Sequence, residues 1–276
     1  MSLALLAGKG QLPVLVHRAC AAGGDAPLVI ELEGVPSDLD REVVTERFRL
    51  ETIGSLIARL EARGVRRLCL AGAVRRMPID PALIDVATMP LVPRLTAALS
   101  QGDDGALRCV LALFEEAGIA IVGADELVPG LLPAAGWLGA VPPGGPGPEL
   151  AADAARAARC VSALGALDIG QACVVSRGQV LAVETLPGTD WMLHSLAAGH
   201  DGAPGGVLYK APKPGQDRRV DLPAIGPATV RLAAEAGLSG IVLAQGGVMV
   251  LGAQETGREA ADLGLFIWVR DGKDGS

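Results

Sequence analysis

The chain has 276 residues, half of them hydrophobic, which is enough to bury one large core or two ordinary ones. With 3% aromatic residues and a formal charge of −7 it offers neither stacking platforms nor a broad basic footprint, which argues against nucleic acid as a partner. No apolar run reaches the ~18 residues of a membrane span, no basic segment followed by a cleavable apolar stretch opens the chain, and the five scattered cysteines lack zinc or redox spacing, so a cytoplasmic protein with buried free thiols is expected.

The first half alternates strands and helices. A strand from Leu3 to Ala7 passes through Gly8-Lys9-Gly10 into a helix over about Leu12 to Ala22. Glycines at such a turn let backbone approach an anion, and the helix N-terminus favours negative charge, so Gly8, Lys9, Gly10 and Gln11 are candidate nucleotide-binding residues. The dinucleotide fingerprint is incomplete, because Pro13 stands where a third glycine belongs, and a tight turn without a ligand is the competing reading. Glu31, ending a strand over about Pro27 to Leu32, is placed for a ribose-binding acid. Ile53, Leu56, Ile57 and Leu60 line one face of a helix from Thr52 to Arg63. A strand at Arg67 to Ala71 follows, then helices near Pro93 to Leu99 and Gly105 to Ala117, then a strand at Ile119 to Gly123. Asp103 and Asp104, before the second of these helices, read either as N-caps or as carboxylates for a metal or ribose. The alternation predicts βαβ units and a parallel sheet over residues 1–130.

Residues 131–148 are rich in proline and glycine and are expected to form a linker. A mixed α/β domain over 149–272 follows. It begins with an alanine-rich helix from Glu149 to about Ala163 and a hairpin from Gln171 to Glu184 turning at Arg177-Gly178. A helix from Gly188 to Ala197 is preceded by Glu184 and capped by Thr189 or Asp190. Short strands at Val207 to Tyr209, Ile241 to Ala244, Val248 to Leu251 and Leu265 to Val269 are interleaved with helices over Gly226 to Ala236 and Glu255 to Leu263.

The segment from Lys210 to Asp221 carries the most chemistry. Lys210, Lys213, Arg218 and Arg219 crowd into ten residues of an acidic protein, beside Gln216, Asp217 and Asp221, on backbone stiffened by prolines. Cations beside carboxylates suit a metal-assisted phosphate site, since Lys and Arg neutralise phosphate oxygens while Asp holds a divalent ion or orients water. A solvated charged loop is the plainer alternative.

Together these segments resemble the LpxI-type UDP-2,3-diacylglucosamine pyrophosphatases of bacterial lipid A synthesis. The likeness spans nearly the whole chain. It rests on Gly8-Lys-Gly10-Gln-Leu-Pro13, Gly102-Asp103-Asp104, Asp168-Ile-Gly170-Gln171, Glu184 with Gly188-Thr189-Asp190, and above all Lys210-x-x-Lys213-Pro-Gly-Gln216-Asp217-x-Arg-x-Asp221. The chain departs from the family at Pro187, where a glutamate is usual, and at Lys9, where a glycine is common. The resemblance implies a Rossmann-like N-terminal domain, a distinct C-terminal α/β domain, and Mg²⁺-dependent hydrolysis to UMP and 2,3-diacylglucosamine 1-phosphate (lipid X). On it, Asp221 and Asp217 are expected to be catalytic, Lys210, Lys213 and Arg218 to contact phosphate, and Asp221, Asp190 and Glu184 to hold the metal. Asp168, Gln171, Thr189 and Gln216, in the matching motifs, join Asp103, Asp104 and the glycine turn as expected substrate contacts.

Two other readings stand beside this one. One is a nicotinamide-dependent oxidoreductase using the N-terminal glycine turn; the other is a non-catalytic nucleotide- or lipid-binding module. An amphiphilic substrate is compatible with peripheral contact at the inner membrane face, and the sequence leaves homo-oligomers open.

Overall fold

The computed structural model describes residues 3–74, 77–100, 103–142, 144–199 and 205–271, with the side chains of Asp103 and Asp104 outside that set. The chain forms two compact units. Met1–Pro129 together with Asp217–Val220 make the first, and Gly130–Gln216 with Asp221–Ser276 make the second.

The first unit contains β1 (Leu3–Ala7), α1 (Gln11–Ala22), β2 (Leu28–Leu32), β3 (Val44–Phe48), α2 (Ile53–Ala62), β4 (Arg67–Ala71), α3 (Val92–Leu99), α4 (Asp103–Glu116), β5 (Ala120–Ile121) and α5 (Ala124–Leu127). Its sheet has the order β3-β2-β1-β4-β5 with every pair parallel, the order of a doubly wound nucleotide-binding sheet. β1 and β2 are buried along their whole length, which is why they read as nearly unbroken apolar runs. Leu56 and Leu60 of α2 and Leu111 and Phe114 of α4 close the core over Ile30 and Leu68. Val220, from far along the chain, packs against this same core. Its neighbour Arg219 grips the Asp217 carboxylate at 2.7 and 3.0 Å and reaches Glu115 of α4 at 2.6 Å.

The second unit contains β6 (Gly136–Leu138), α6 (Gly147–Ala166), β7 (Ala172–Ser176), β8 (Gln179–Val183), α7 (Gly188–Gly199), β9 (Val207–Lys210), β10 (Ala224–Ile225), α8 (Pro227–Glu235), β11 (Gly240–Ala244), β12 (Met249–Val250), α9 (Ala253–Asp262) and β13 (Phe266–Arg270). Its main sheet has the order β6-β13-β11-β9-β7-β8. β9, β11 and β13 are parallel, while β7 and β6 run against them. One face of the sheet packs on α6 through Ala154, Ala157 and Val161, and the other carries Met192, Leu193, Val230 and Ala260 of α7, α8 and α9. The tight turn of the β7–β8 hairpin is fastened by Asp153 of α6, whose two oxygens accept the Arg177 and Gly178 N–H groups at 2.9 and 2.7 Å.

Two sequence expectations need correction. Residues 131–148 are not wholly linker, because β6 lies inside them and adds an antiparallel edge to β13. Pro142 and Gly144–Gly145 follow it, and an edge strand is where such flanks are tolerated. The segment Val44–Phe48 is also a strand that the apolar pattern hides, because it lies at the sheet edge and buries only Phe48. Among the described residues no helix is long and apolar enough to cross a membrane. Of the five cysteines, all free, Cys69 and Cys173 are fully buried, and burial pushes both thiols up to about 12, far from reactivity.

Glu31 is committed to the fold. Its Oε1 accepts the Ser37 N–H at 2.9 Å and the Ser37 hydroxyl at 2.7 Å, and Oε2 accepts Arg47 Nε–H at 3.1 Å. Burial works against its ionisation, but these bonds outweigh it and hold the carboxyl below the usual glutamate range. A carboxyl depressed on folding stabilises the protein above its unfolded value of about 4.3, and this contribution is lost as pH falls through the depressed value. Urea midpoints measured between about pH 6 and pH 3 should therefore fall less steeply for Glu31→Gln than for the wild type. Parallel curves would show that this carboxylate contributes nothing to acid sensitivity.

Candidate active site

Strand polarity in the second unit gathers the polar motifs at one edge. The carboxyl ends of β8, β9, β11 and β13 meet the amino end of β7 there, as the pairings Cys173↔Val183 and Ala172↔Lys210 require. In sheets of this kind, ligands bind beyond the carboxyl ends of the strands.

Lys210, the last residue of β9, is 6% exposed. Its ammonium donates to Thr189 Oγ1 at 2.8 Å and to the Ala224 carbonyl at 3.1 Å, so among the described residues two of its three N–H groups are engaged. Thr189, in the first turn of α7, donates in turn to the buried Glu184 carboxylate. Burial pushes the Lys210 ammonium below its ordinary value, against the opposing pull of the Glu184 and Asp190 charges. Gly170 lets this cluster close up, since a Cβ there would lie 2.1 Å from the Glu184 carbonyl oxygen. Gln171 follows it, with its side-chain oxygen buried and without a hydrogen-bond partner among the described residues.

A second group lies in the loop after β9. Lys213 Nζ pairs with Asp168 Oδ1 at 2.6 Å. Gln216 donates Nε2–H to Asp221 Oδ2 at 2.5 Å and accepts the Lys213 N–H at 3.1 Å. The sheet edge thus collects Asp168, Gln171, Glu184, Thr189, Asp190, Lys210, Lys213, Gln216 and Asp221 within one unit.

The remaining candidates are placed otherwise. Asp217 and the exposed Arg218 are counted with the first unit. The Arg219 guanidinium holds the Asp217 carboxyl below the usual range. At the glycine turn, Gly8 N–H donates to the Ala71 carbonyl, Lys9 pairs with Ala73, and Gly10 N–H meets the Asp38 carboxylate at 2.8 Å. An internal carboxylate therefore takes the amide offered to an anion, while Gln11 stays exposed. With both Glu31 oxygens engaged, the ribose-binding acid of a nicotinamide enzyme is not on offer. Asp103 and Asp104 open α4, but their side chains lie outside the described residues.

The expected metal set of Asp221, Glu184 and Asp190 is not assembled: among the described residues no three His, Cys, Asp or Glu side chains converge. Glu184 instead accepts from the Thr189 hydroxyl that Lys210 also contacts, and the Glu184 and Asp190 charges both favour the ammonium. Mg²⁺ commonly uses one or two carboxylates with substrate phosphates and water, so Asp221 alone fits such an ion.

Sequence reasoning missed a cavity of about 270 Å³ on the α6 face of the same sheet, lined in part by Arg159, Tyr209, Gln245 and Arg270. Gln245 and Arg270, polar residues at the carboxyl ends of otherwise apolar strands, were the signal available.

Removing the buried ammonium should be costly. Lys210→Met leaves Glu184 buried without its counter-charge, a loss of about 3–5 kcal/mol. Adding Glu184→Gln to the same chain should recover part of that stability. Denaturant unfolding of both variants measures this, and a Lys210→Met protein as stable as the wild type would contradict the charge balance described.

Comparison with known proteins shows the family. Residues 2–131 match the LpxI N-terminal domain and residues 139–268 the LpxI C-terminal domain. The UDP-2,3-diacylglucosamine pyrophosphatase LpxI of Caulobacter vibrioides is 40% identical over 272 residues, 96% of each chain. The chain belongs to the LpxI family.

Proposed function

We propose that the protein hydrolyses the pyrophosphate of UDP-2,3-diacylglucosamine, adding water across the P–O–P bridge to give UMP and 2,3-diacylglucosamine 1-phosphate. The observation that carries this reading is the 40% identity, over 96% of both chains, to a relative named for that substrate.

The site has the parts this reaction needs. Cleavage builds negative charge on the departing phosphate, and fixed cations stabilise it. Lys210 holds a defined direction through Thr189 and Ala224, so its remaining N–H is oriented before substrate arrives. Asp221 is the carboxylate for orienting the attacking water and for holding Mg²⁺, which when bound would neutralise phosphate oxygens. The buried oxygen of Gln171 offers an acceptor to a substrate hydroxyl or amide.

The acyl chains need an apolar surface. Between β8 and α7 lies a groove of about 380 Å³ lined by Leu181, Val183, Trp191, Met192, Ser195 and Leu196. It begins at the residues that precede Glu184 and follow Asp190, so chain order joins it to the polar cluster. Leu186, 98% exposed, and Trp191, 56% exposed, flank the same cluster. They give the protein a surface for working at the cytoplasmic face of a membrane.

Release of UMP by wild type and Asp221→Ala, with Mg²⁺ and with EDTA, tests the activity. A metal-dependent rate that falls roughly 100- to 10,000-fold in the variant is expected. No release from the wild type, or full release from the variant, would refute the substrate or the site respectively. The groove has its own test. Ser195→Phe should raise KM for the long-chain substrate about tenfold, the equivalent of displacing two methylenes, and leave a short-chain analogue unaffected.

A further inference from the structure

We propose that Gln216 is a positioning residue for Asp221 rather than a substrate contact. The inference rests on the assignment of Asp221 above and adds the group that aims it.

The two ends of the Gln216 amide are committed to partners of opposite kind. A carboxylate requires the NH₂ end, and Asp221 Oδ2 receives it at 2.5 Å. A backbone N–H requires the oxygen end, and the Lys213 N–H meets it at 3.1 Å. Each bond requires the same orientation of the amide, and the two agree. Gln216 thus donates directly to the Asp221 carboxylate. One carboxylate oxygen is thereby engaged.

The donor itself stands on a braced loop. Gln216 N–H closes back on the Lys213 carbonyl at 3.4 Å. Pro212 and Pro214 on either side of Lys213 are each seated against a glycine. A Cβ at Gly247 would lie 2.6 Å from Pro212 Cδ, and one at Gly165 would lie 2.9 Å from Pro214 Cδ. Proline also fixes φ, so little conformational freedom remains in the platform that carries the amide. A short, charge-assisted bond from such a platform holds a carboxylate in one direction.

The expected kinetics separate this role from its rivals. Gln216→Glu keeps the size and the acceptor for Lys213 N–H but sets a second carboxylate against Asp221. Gln216→Ala merely removes the donor. Positioning therefore predicts that kcat falls in the order Gln, Ala, Glu, with the alanine variant down about 10- to 100-fold and KM little changed. A packing role or a substrate contact predicts that the near-isosteric glutamate is the milder change, or that KM carries the loss. Melting temperatures close to that of the wild type show that the variants fold. A second readout needs no turnover. In ¹⁵N-labelled protein the Gln216 side-chain amide, assigned by its loss in Gln216→Glu, should be shifted downfield and return to the ordinary region in Asp221→Ala. Glutamate milder than alanine, or an unshifted amide, overturns the inference while leaving the function in place if Asp221→Ala is inactive. If Asp221→Ala retains full activity, both assignments fall together.

Discussion

A buried ammonium sets the terms for the second unit. Lys210 sits at 6% exposure, where an isolated charge would be far too costly to keep. It persists because a hydroxyl and a carbonyl accept its N–H groups and the negative charges of Glu184 and Asp190 favour it. That arrangement dictates much else: α7 must begin where Thr189 can reach both Lys210 and Glu184, and β7 must enter the sheet through a residue as small as Gly170. Glu184, which sequence alone offers to a metal, is drawn into balancing a lysine.

The same edge illustrates how strand direction concentrates chemistry. β7 and β8 form a hairpin, and β9 pairs antiparallel with β7, so one end of three adjacent strands holds residues 168–171, 184–190 and 210–216. None of these stretches is a site by itself. They become one because the sheet returns each of them to the same place, with apolar layers below fixing the register.

Much of the architecture was legible. Parallel strands buried on both faces write long apolar runs, and the helices write their 3.6-residue stripe, so β1, β2, α2 and the β7–β8 hairpin can be read directly. The edges were not legible. Val44–Phe48 and Gly136–Leu138 have little to bury, hence little pattern to show. For the site, residue types in the Lys210–Asp221 segment carry the expectation of phosphate chemistry, but they do not reveal the pairings. Lys213 meets Asp168 across 45 positions, and Asp217 turns to Arg219 two residues away. By resemblance, sequence ranks Asp221 ahead of Asp217, but their residue types and spacing do not show what each one pairs with. Structure gives Asp217 to a guanidinium and Asp221 to an amide.

Asp217–Val220 belongs to the first unit although it is encoded almost ninety residues beyond that unit's other residues. The order of the gene and the order of the folded parts therefore disagree. A cut near residue 130, where the two family domains adjoin, would divide the sequence cleanly and the protein badly: one fragment would lack the Val220 side chain that packs against its core and the Arg219 that pairs with Glu115, and the other would carry a largely charged tetrapeptide without its seat. Halves exchanged between homologues at that junction would have to carry matching versions of this small segment for the first unit to keep its packing.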